Sequence, residues 1–186
     1  MRVIGVDPGS AITGFGIVEK SSGGLQYLGS GTIRTNSRHS RGVRLKTIYD
    51  QLQAVIADHA PVAMSLERSF VAENVQSAFR LGETRGVAML AAAANDLELF
   101  EYDPTAVKLT IAGYGRADKA QVKFMVMSCL GIHPQIKLAD DASDALALAL
   151  CHLARASMPM GAQSQTSWRN FKQGSEVING KKVALR

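Results

Sequence analysis

Residues 138–150, LADDASDALALAL, constrain the fold most, because a helix of this composition has almost no polar side to expose. The run from Ala145 to Leu150 contains only alanine and leucine, so this end of the helix must be buried. Three aspartates, Asp140, Asp141 and Asp144, precede it. Asp141 and Asp144 are three residues apart and therefore share one face of the helix.

These aspartates allow two interpretations. Acidic residues suit the start of a helix, since they accept hydrogen bonds from free N–H groups and face the positive end of the helix dipole. Alternatively, like charges beside an apolar interior raise the free energy unless a cation lies between them. The second interpretation predicts that further carboxylates lie elsewhere in the chain.

The apolar periodicity predicts an α/β fold, with a mixed sheet and helices on its faces. Three strands come first and form an antiparallel meander, after which helices and strands alternate. The predicted strands cover 2–7, 11–20, 25–35, 62–69 and 97–102, and the predicted helices cover 41–59, 74–95, 104–114, 118–130 and a last segment from Asp141.

Two more acids stand at the carboxyl ends of predicted strands. Asp7 ends the first strand and Glu67 lies near the end of the fourth. Ligand sites of such sheets gather at this edge, so the two acids are neighbours if these strands are adjacent and parallel. Each also has a plain interpretation, because Asp before Pro-Gly commonly forms turns and Glu67 could be an edge charge.

A set of four carboxylates without a histidine or cysteine partner suits a hard cation such as Mg²⁺ or Mn²⁺. Two such ions can support the attacking and leaving oxygens of a phosphoryl displacement. The four histidines fall in no zinc-ligand spacing, and the two cysteines form no CxxC pair. A zinc site is therefore not expected, and the cysteines are expected to be reduced.

The net charge of +5 is concentrated at one end of the chain. Residues 1–154 hold fifteen basic and fifteen acidic side chains, whereas 155–186 hold six basic residues and one acid. We expect one folded domain over residues 1–155 and a basic, weakly ordered tail over 156–186. A basic tail suits nucleic acid, although a merely solubilising extension fits equally well.

Localisation follows from what the sequence lacks. No apolar run approaches the roughly 18 residues of a membrane span, and no signal peptide precedes the first strand. We therefore expect a cytoplasmic protein with no membrane partner.

Five segments together resemble the RuvC family of bacterial Holliday-junction resolvases, within the ribonuclease-H-like superfamily. They are IGVDPGSAITGFGIV at 4–18, LERSF at 66–70, GETRGVAM at 82–89, GYGRADKAQV at 113–122 and DDASDALALAL at 140–150. Each motif is weak alone, but five in order are specific. The resemblance implies a five-stranded mixed sheet flanked by helices.

The resemblance also implies an activity, a cofactor and partners. It implies a homodimeric endonuclease that makes symmetric, Mg²⁺-dependent paired nicks in opposing strands of a four-way DNA junction during recombination and repair. The expected products carry 5′-phosphate and 3′-hydroxyl ends. Two Mg²⁺ ions per active site are implied, with Mn²⁺ as a substitute. A branch-migration helicase complex of RuvA and RuvB is the implied further partner.

Carried over by residue, the resemblance assigns the metal-binding and catalytic acids to Asp7, Glu67, Asp141 and Asp144. The D-x-x-D spacing selects Asp141 over Asp140, which is then a plausible helix cap.

Three further residues match positions that contact DNA in the family. Phe70 would stack on junction bases, while Lys108 and Lys119 would lie near the cleaved strand, with Lys119 also catalytic. Core packing for Phe70 and simple solvation for Lys119 are the alternatives. Lys119 follows Asp118, the predicted N-cap, and a lysine there opposes the helix dipole unless an anion is bound.

A second basic stretch lies between Glu19 and Asp50, where six cations occur with no acid. Arg41 and Arg44 belong to it and stand in the first turn of a predicted helix, where anions are preferred. The stretch is either a solvated face or a contact surface for DNA phosphates.

Other functions share parts of this pattern. The segment VDPGSAITGFGIV also resembles the phosphate loop of the sugar-kinase and actin ATPases, but those proteins need two such domains. A non-catalytic junction-binding protein would not need all four acids, and a general single-strand nuclease would keep them without symmetric action.

The helix over 74–95 carries Ala78, Leu81, Gly82, Arg85 and Met89 on a face that serves either the core or, by resemblance, a dimer contact.

Overall fold

A computed structural model describes residues 1–68 and 75–156, together with the backbone of 177–178 and 181–182. Phe70 and nearly all of the predicted tail lie outside these residues. The strands are β1 (Arg2–Asp7), β2 (Ile12–Ser21), β3 (Gly24–Arg34), β4 (Ala63–Glu67), β5 (Glu98–Tyr102), β6 (Val177–Ile178) and β7 (Lys181–Lys182). The helices are α1 (Arg41–His59), α2 (Val75–Ala94), α3 (Pro104–Ala112), α4 (Lys119–Cys129) and α5 (Asp140–Arg155).

The main sheet has five strands in the order β3-β2-β1-β4-β5. The first three pair antiparallel, whereas β4 is parallel to both β1 and β5. This topology confirms the predicted mixed sheet. The short strands β6 and β7 pair antiparallel with each other.

Helices cover both faces of the five-stranded sheet. Helices α1 and α2 bury Ile48, Leu52 and Ala88 against one face, in a core that includes Ile4 and Val6 of β1. Helices α3, α4 and α5 form a second core with the other face, which Val3 of β1 joins. Successive strand residues therefore alternate between the two cores.

Helix α5 is buried as its composition predicts. Every residue from Ala145 to Leu153 is buried, between the sheet on one side and helices α3 and α4 on the other. Its start differs from the prediction by one residue, because Asp140 already belongs to the helix and Ala139 is the N-cap. The N-cap makes no side-chain capping bond, so the expectation that Asp140 caps the helix was wrong.

The helix over 74–95 turns a different face to the core than the predicted stripe. Its buried residues are Thr84, Ala88, Ala91 and Ala92, whereas Ala78 and Gly82 are exposed.

Within residues 1–68 and 75–156, no helix combines the length and the apolar composition that crossing a bilayer requires.

Candidate active site

Two acids meet where adjacent parallel strands end. Val6 of β1 pairs with Leu66 of β4, so Asp7 and Glu67 follow side by side at one sheet edge. Val3 of β1 packs in the core around α5, and the alternation of strand side chains directs Asp7 toward the same face. Ser65 donates a 2.9 Å hydrogen bond to the Leu148 carbonyl of α5, which places Glu67 on that face too.

An arginine from the opposite layer fixes the end of β4. Arg85 of α2 donates to the backbone carbonyl of Glu67 and pairs with the carboxylate of Glu101 on β5. Its side chain is largely buried. Arg85 therefore links the carboxyl end of β4 to the neighbouring strand β5.

Glycines bring the third and fourth acids into place. Gly14 of β2 pairs with Asp7, and a β-carbon at position 14 would lie 2.0 Å from the Asp141 carbonyl oxygen. A β-carbon at Gly5 would lie 1.8 Å from the Ala145 carbonyl oxygen. Helix α5 therefore rests directly on the sheet backbone, and its first turn stands beside Asp7.

The acids open into a cleft that also contains lysines. A cavity of about 300 Å³ is lined by Asp7, Glu67 and Asp144 together with Lys108 and Lys119. The cleft thus brings together five of the side chains named from the sequence. Asp141 does not line the cavity itself, although its charge acts on Asp7.

Asp7 is a largely buried acid with three other carboxylates near it. Burial, then the charges of Asp144, Glu67 and Asp141, raises the pKa of Asp7 from 3.8 to about 7, and Lys119 opposes the shift. Like charges at low dielectric favour the protonated acid unless a cation compensates them. Perturbed carboxyl groups of this kind cluster at functional sites.

Lys119 supplies a positive charge at the mouth of the cleft. Asp118 caps α4 in a reciprocal box with Gln121, as the sequence predicted for the cap itself. Lys119 is the next residue, and its Nζ lies 3.3 Å from Oδ2 of Asp144. The charge of Asp144 and this hydrogen bond raise the pKa of Lys119, whose side chain is nevertheless 81% exposed.

Asp140 is exposed at the start of α5 and does not line the acid cleft. Its carboxylate binds Nζ of Lys123 at 2.8 Å, and its side chain is 77% exposed. The hydrogen bond and charge of Lys123 lower the pKa of Asp140. Asp141, unlike Asp140, is among the charges that raise the pKa of Asp7, and the choice of Asp141 by the D-x-x-D spacing stays a prediction.

The acid set suits a hard divalent cation. All its donors are carboxylate oxygens, which Mg²⁺ and Mn²⁺ prefer, and a bound cation would offset the like charges that help to raise the pKa of Asp7. In the part of the chain that the structure describes, no three His, Cys, Asp or Glu side chains stand close enough to share one ion. Binding would therefore require the side chains to rotate toward one another from backbone positions that already converge.

The remaining predicted residues divide between two places. Arg41 and Arg44 do not reach the acid cleft; they line a separate groove between α1 and α2. Phe70 lies outside the described residues. Sequence reasoning missed the anchoring contact of Arg85 and the close packing at Gly14; alternating glycines at 14 and 16 inside a strand were the available signal.

Fold and site together define a ribonuclease-H-like α/β protein with several acids at one edge of its sheet. The family described as crossover junction endodeoxyribonuclease RuvC matches residues 3–152 by sequence. This chain belongs to the RuvC family.

Individual relatives agree with this membership. The RuvC of Syntrophotalea carbinolica is 49% identical over 152 residues, which cover 82% of this chain and 93% of the relative. The RuvC of Trichlorobacter lovleyi is 42% identical and covers 92% of this chain and 99% of its own length. The solved structure of Thermus thermophilus RuvC in complex with a Holliday junction substrate is 29% identical, covers 84% of this chain and 94% of its own, and superposes with a TM-score of 0.78.

Proposed function

We propose that this protein is a structure-specific endodeoxyribonuclease that resolves four-way DNA junctions by paired nicks in opposing strands, in recombination and repair. The observation that carries the proposal is the cleft in which Asp7, Glu67 and Asp144 meet Lys108 and Lys119. The family relatives support it, since they are named crossover junction endodeoxyribonucleases.

In this proposal Asp7, Glu67, Asp141 and Asp144 hold two Mg²⁺ ions, which Mn²⁺ can replace. The bound ions would stabilise the charge on the attacking and leaving oxygens of an in-line displacement. Water adds to phosphorus as the bond to the 3′ oxygen breaks, which leaves 5′-phosphate and 3′-hydroxyl ends. Lys119 and Lys108 bind the non-bridging phosphate oxygens, and Lys119 exchanges its contact with Asp144 for the phosphate.

A homodimer would present two such clefts to a substrate with two-fold symmetry. The outer face of α2 supports this arrangement, because Val75, Phe79 and Leu90 are exposed along one side with Gly82 and Gly86 between them. Phe79 alone is 66% exposed. We expect Phe79→Asp to produce monomers in light scattering and to abolish paired nicking. If Phe79→Asp remains dimeric, this face of α2 is not the dimer contact.

Phe70 follows Glu67 by three residues, and we propose that it stacks on junction bases, as the family resemblance implies. Base–aromatic stacking is worth about 1–3 kcal/mol per base. Phe70→Ala is expected to slow cleavage while Mn²⁺ binding stays intact, because the acids are unchanged. Unaltered cleavage would exclude Phe70 from the substrate contact.

The cellular context is proposed on the resemblance alone. The protein would act in the cytoplasm at the nucleoid, together with a branch-migration helicase complex of the RuvA and RuvB type. Co-purification of those two proteins with this chain on junction DNA would support the association, and loss of the complex at every salt concentration would contradict it.

The central experiment compares DNA structures. Labelled four-way junction, linear duplex and single strand are each incubated with the protein and Mg²⁺, with chelator as the control. Symmetric nicks in opposing strands of the junction alone are expected. Cleavage of single strands alone would instead identify a general nuclease, and cutting in chelator would refute the metal assignment. Asp144→Asn should bind the junction without cutting it.

A further inference from the structure

A groove separate from the acid cleft lies between the start of α1 and the middle of α2. It has a volume of about 390 Å³, and Arg41, Arg44, Arg80, Glu83, Ser10 and Ser37 contribute its polar lining. We call it the arginine groove.

The arginine groove carries excess positive charge. Arg41 pairs with Glu83 across the two helices, which leaves two further arginines uncompensated by acids of the lining. Among the described residues, none forms an ion pair with the guanidinium of Arg80. Guanidinium groups bind phosphate oxygens through two parallel hydrogen bonds, so the lining matches a phosphodiester.

Two of the arginines are already held in position. Arg44 donates from Nε to Oγ1 of Thr35 at 3.0 Å, and it also donates to the backbone carbonyl of Ser10. Arg41 is held by Glu83. Such fixed side chains lose little further entropy when they bind a ligand, which favours a built site over a solvated surface.

The groove and the cleft share one rim of the sheet but lie on opposite faces. Ser10, which lines the groove, is three residues beyond Asp7, which lines the cleft. Asp7 faces the α5 layer, whereas Arg41 and Arg80 belong to the α1–α2 layer. A DNA arm that crosses this rim from the cleft would run into the groove.

We propose that the arginine groove binds backbone phosphates of the junction DNA away from the cleavage position. This proposal rests on the proposed function and extends it to a second contact. The three guanidinium groups of the lining suit phosphate oxygens, so the contact orients an arm without reading sequence. Glu83 competes with phosphate for Arg41 and thereby limits affinity, which keeps the contact reversible.

The test measures how junction affinity depends on salt. Anisotropy of a labelled junction is recorded in chelator, so that no cutting occurs, between about 50 and about 300 mM NaCl. In a plot of log K for junction binding against log salt concentration, each phosphate contact contributes about −0.9 to the slope. Arg80→Gln should therefore flatten this slope by about 0.9 per engaged groove. The corresponding loss of affinity is roughly eightfold near 0.1 M salt.

Two variants make the result specific. Glu83→Gln frees Arg41 and should tighten binding, an outcome that misfolding cannot produce. Lys46→Gln is the matched control, because Lys46 is also on α1 and 73% exposed, but it pairs with Asp50 and does not line the groove. Its slope should equal that of the unmodified protein.

The outcomes separate this proposal from the proposed function. If Arg80→Gln behaves like Lys46→Gln in a protein that cuts junctions, the groove assignment is overturned and the nuclease assignment stands. If the unmodified protein binds but never cuts, the nuclease assignment falls, while a flattened slope for Arg80→Gln still supports the groove.

Discussion

Gly14 and Asp141 are in direct backbone contact, although they are 127 positions apart in the chain. A β-carbon on Gly14 would stand 2.0 Å from the carbonyl oxygen of Asp141 and 2.4 Å from its carbonyl carbon. No side chain can therefore occupy position 14 while α5 keeps its place. The contact sets the distance between Asp7, which pairs with Gly14, and the two aspartates of α5.

Gly14→Ala is expected to push the start of α5 away from the sheet. Overpacking of this kind costs about 1–3 kcal/mol of unfolding free energy, and the displaced acids should abolish cleavage. Urea unfolding and a junction assay measure the two effects. Gly42→Ala is the control, since a β-carbon there meets nothing within 4 Å. Equal stability of both variants would refute the contact.

Asp140 and Asp141 should respond differently to the same change. Asp140→Asn removes only an exposed pair with Lys123, so cleavage should remain within about twofold. Asp141→Asn removes one carboxylate of the acid set, and cleavage should fall by at least about a hundredfold, because in the proposed function that set would hold the charge-stabilising ions. Single-turnover rates with Mg²⁺ measure both. A larger loss of cleavage rate in Asp140→Asn than in Asp141→Asn would show that Asp140 is the ligand.

Stability without divalent ions should fall as pH rises, because of Asp7. The folded protein retains the Asp7 proton up to the raised pKa of about 7, whereas the unfolded chain releases it near 3.8. The folded state therefore binds more protons between these values, and stability decreases across this window by at most about 4 kcal/mol. Asp7→Asn should remove this decrease and stabilise the protein at pH 8. Urea unfolding in chelator measures it, and an unchanged pH profile would contradict the burial of charge at Asp7.

His152 should act in the opposite direction. It is buried against Phe100, its Nδ1 shares a 2.8 Å hydrogen bond with the hydroxyl of Tyr102, and burial lowers its pKa from 6.5 to about 4. Below pH 6.5 the unfolded chain binds a proton at His152, whereas the folded protein binds this proton only below about pH 4. Stability is therefore lost as pH falls through this window, by at most about 3 kcal/mol.

The two titrations can be separated by unfolding measurements on variants. In Asp7→Asn the loss on acidification should stand out, since the opposing contribution of Asp7 is gone. Adding His152→Gln should flatten the plot of unfolding free energy against pH between pH 6.5 and 4, whatever its effect on overall stability. A persistent slope in the double variant would assign the loss to other groups.

Lys119 should compete with divalent ions for the acid set. Its ammonium contacts Asp144 at 3.3 Å, so Lys119→Met should tighten Mn²⁺ binding to the DNA-free protein by about two- to fivefold, as expected for an exposed ion pair. Cleavage should nevertheless slow, because the phosphate contact is lost. Titration followed by electron paramagnetic resonance measures the binding. Lys123→Met is the control, because its partner Asp140 is outside the set; weaker Mn²⁺ binding by Lys119→Met would contradict the competition.

Local patterns were sufficient to predict the individual elements. Alternating apolar residues placed β1 and β4 with Asp7 and Glu67 at their ends, and the cap chemistry of Asp118 placed the start of α4. The sequence left open whether β1 and β4 are adjacent and parallel, and the structure shows that they are. Periodicity was less informative for α2, where small residues on several sides made the stripe ambiguous.

The sequence by itself determined the elements, the acids at their ends and, through five motifs in order, the family. Only the tertiary structure decided that Asp140 pairs with Lys123, that Arg85 contacts the Glu67 carbonyl, and that Arg80 completes a groove with Arg41 and Arg44. The reason is physical: periodicity and capping depend on neighbours within a few residues, whereas these contacts join segments whose separation is set by the packing of whole layers.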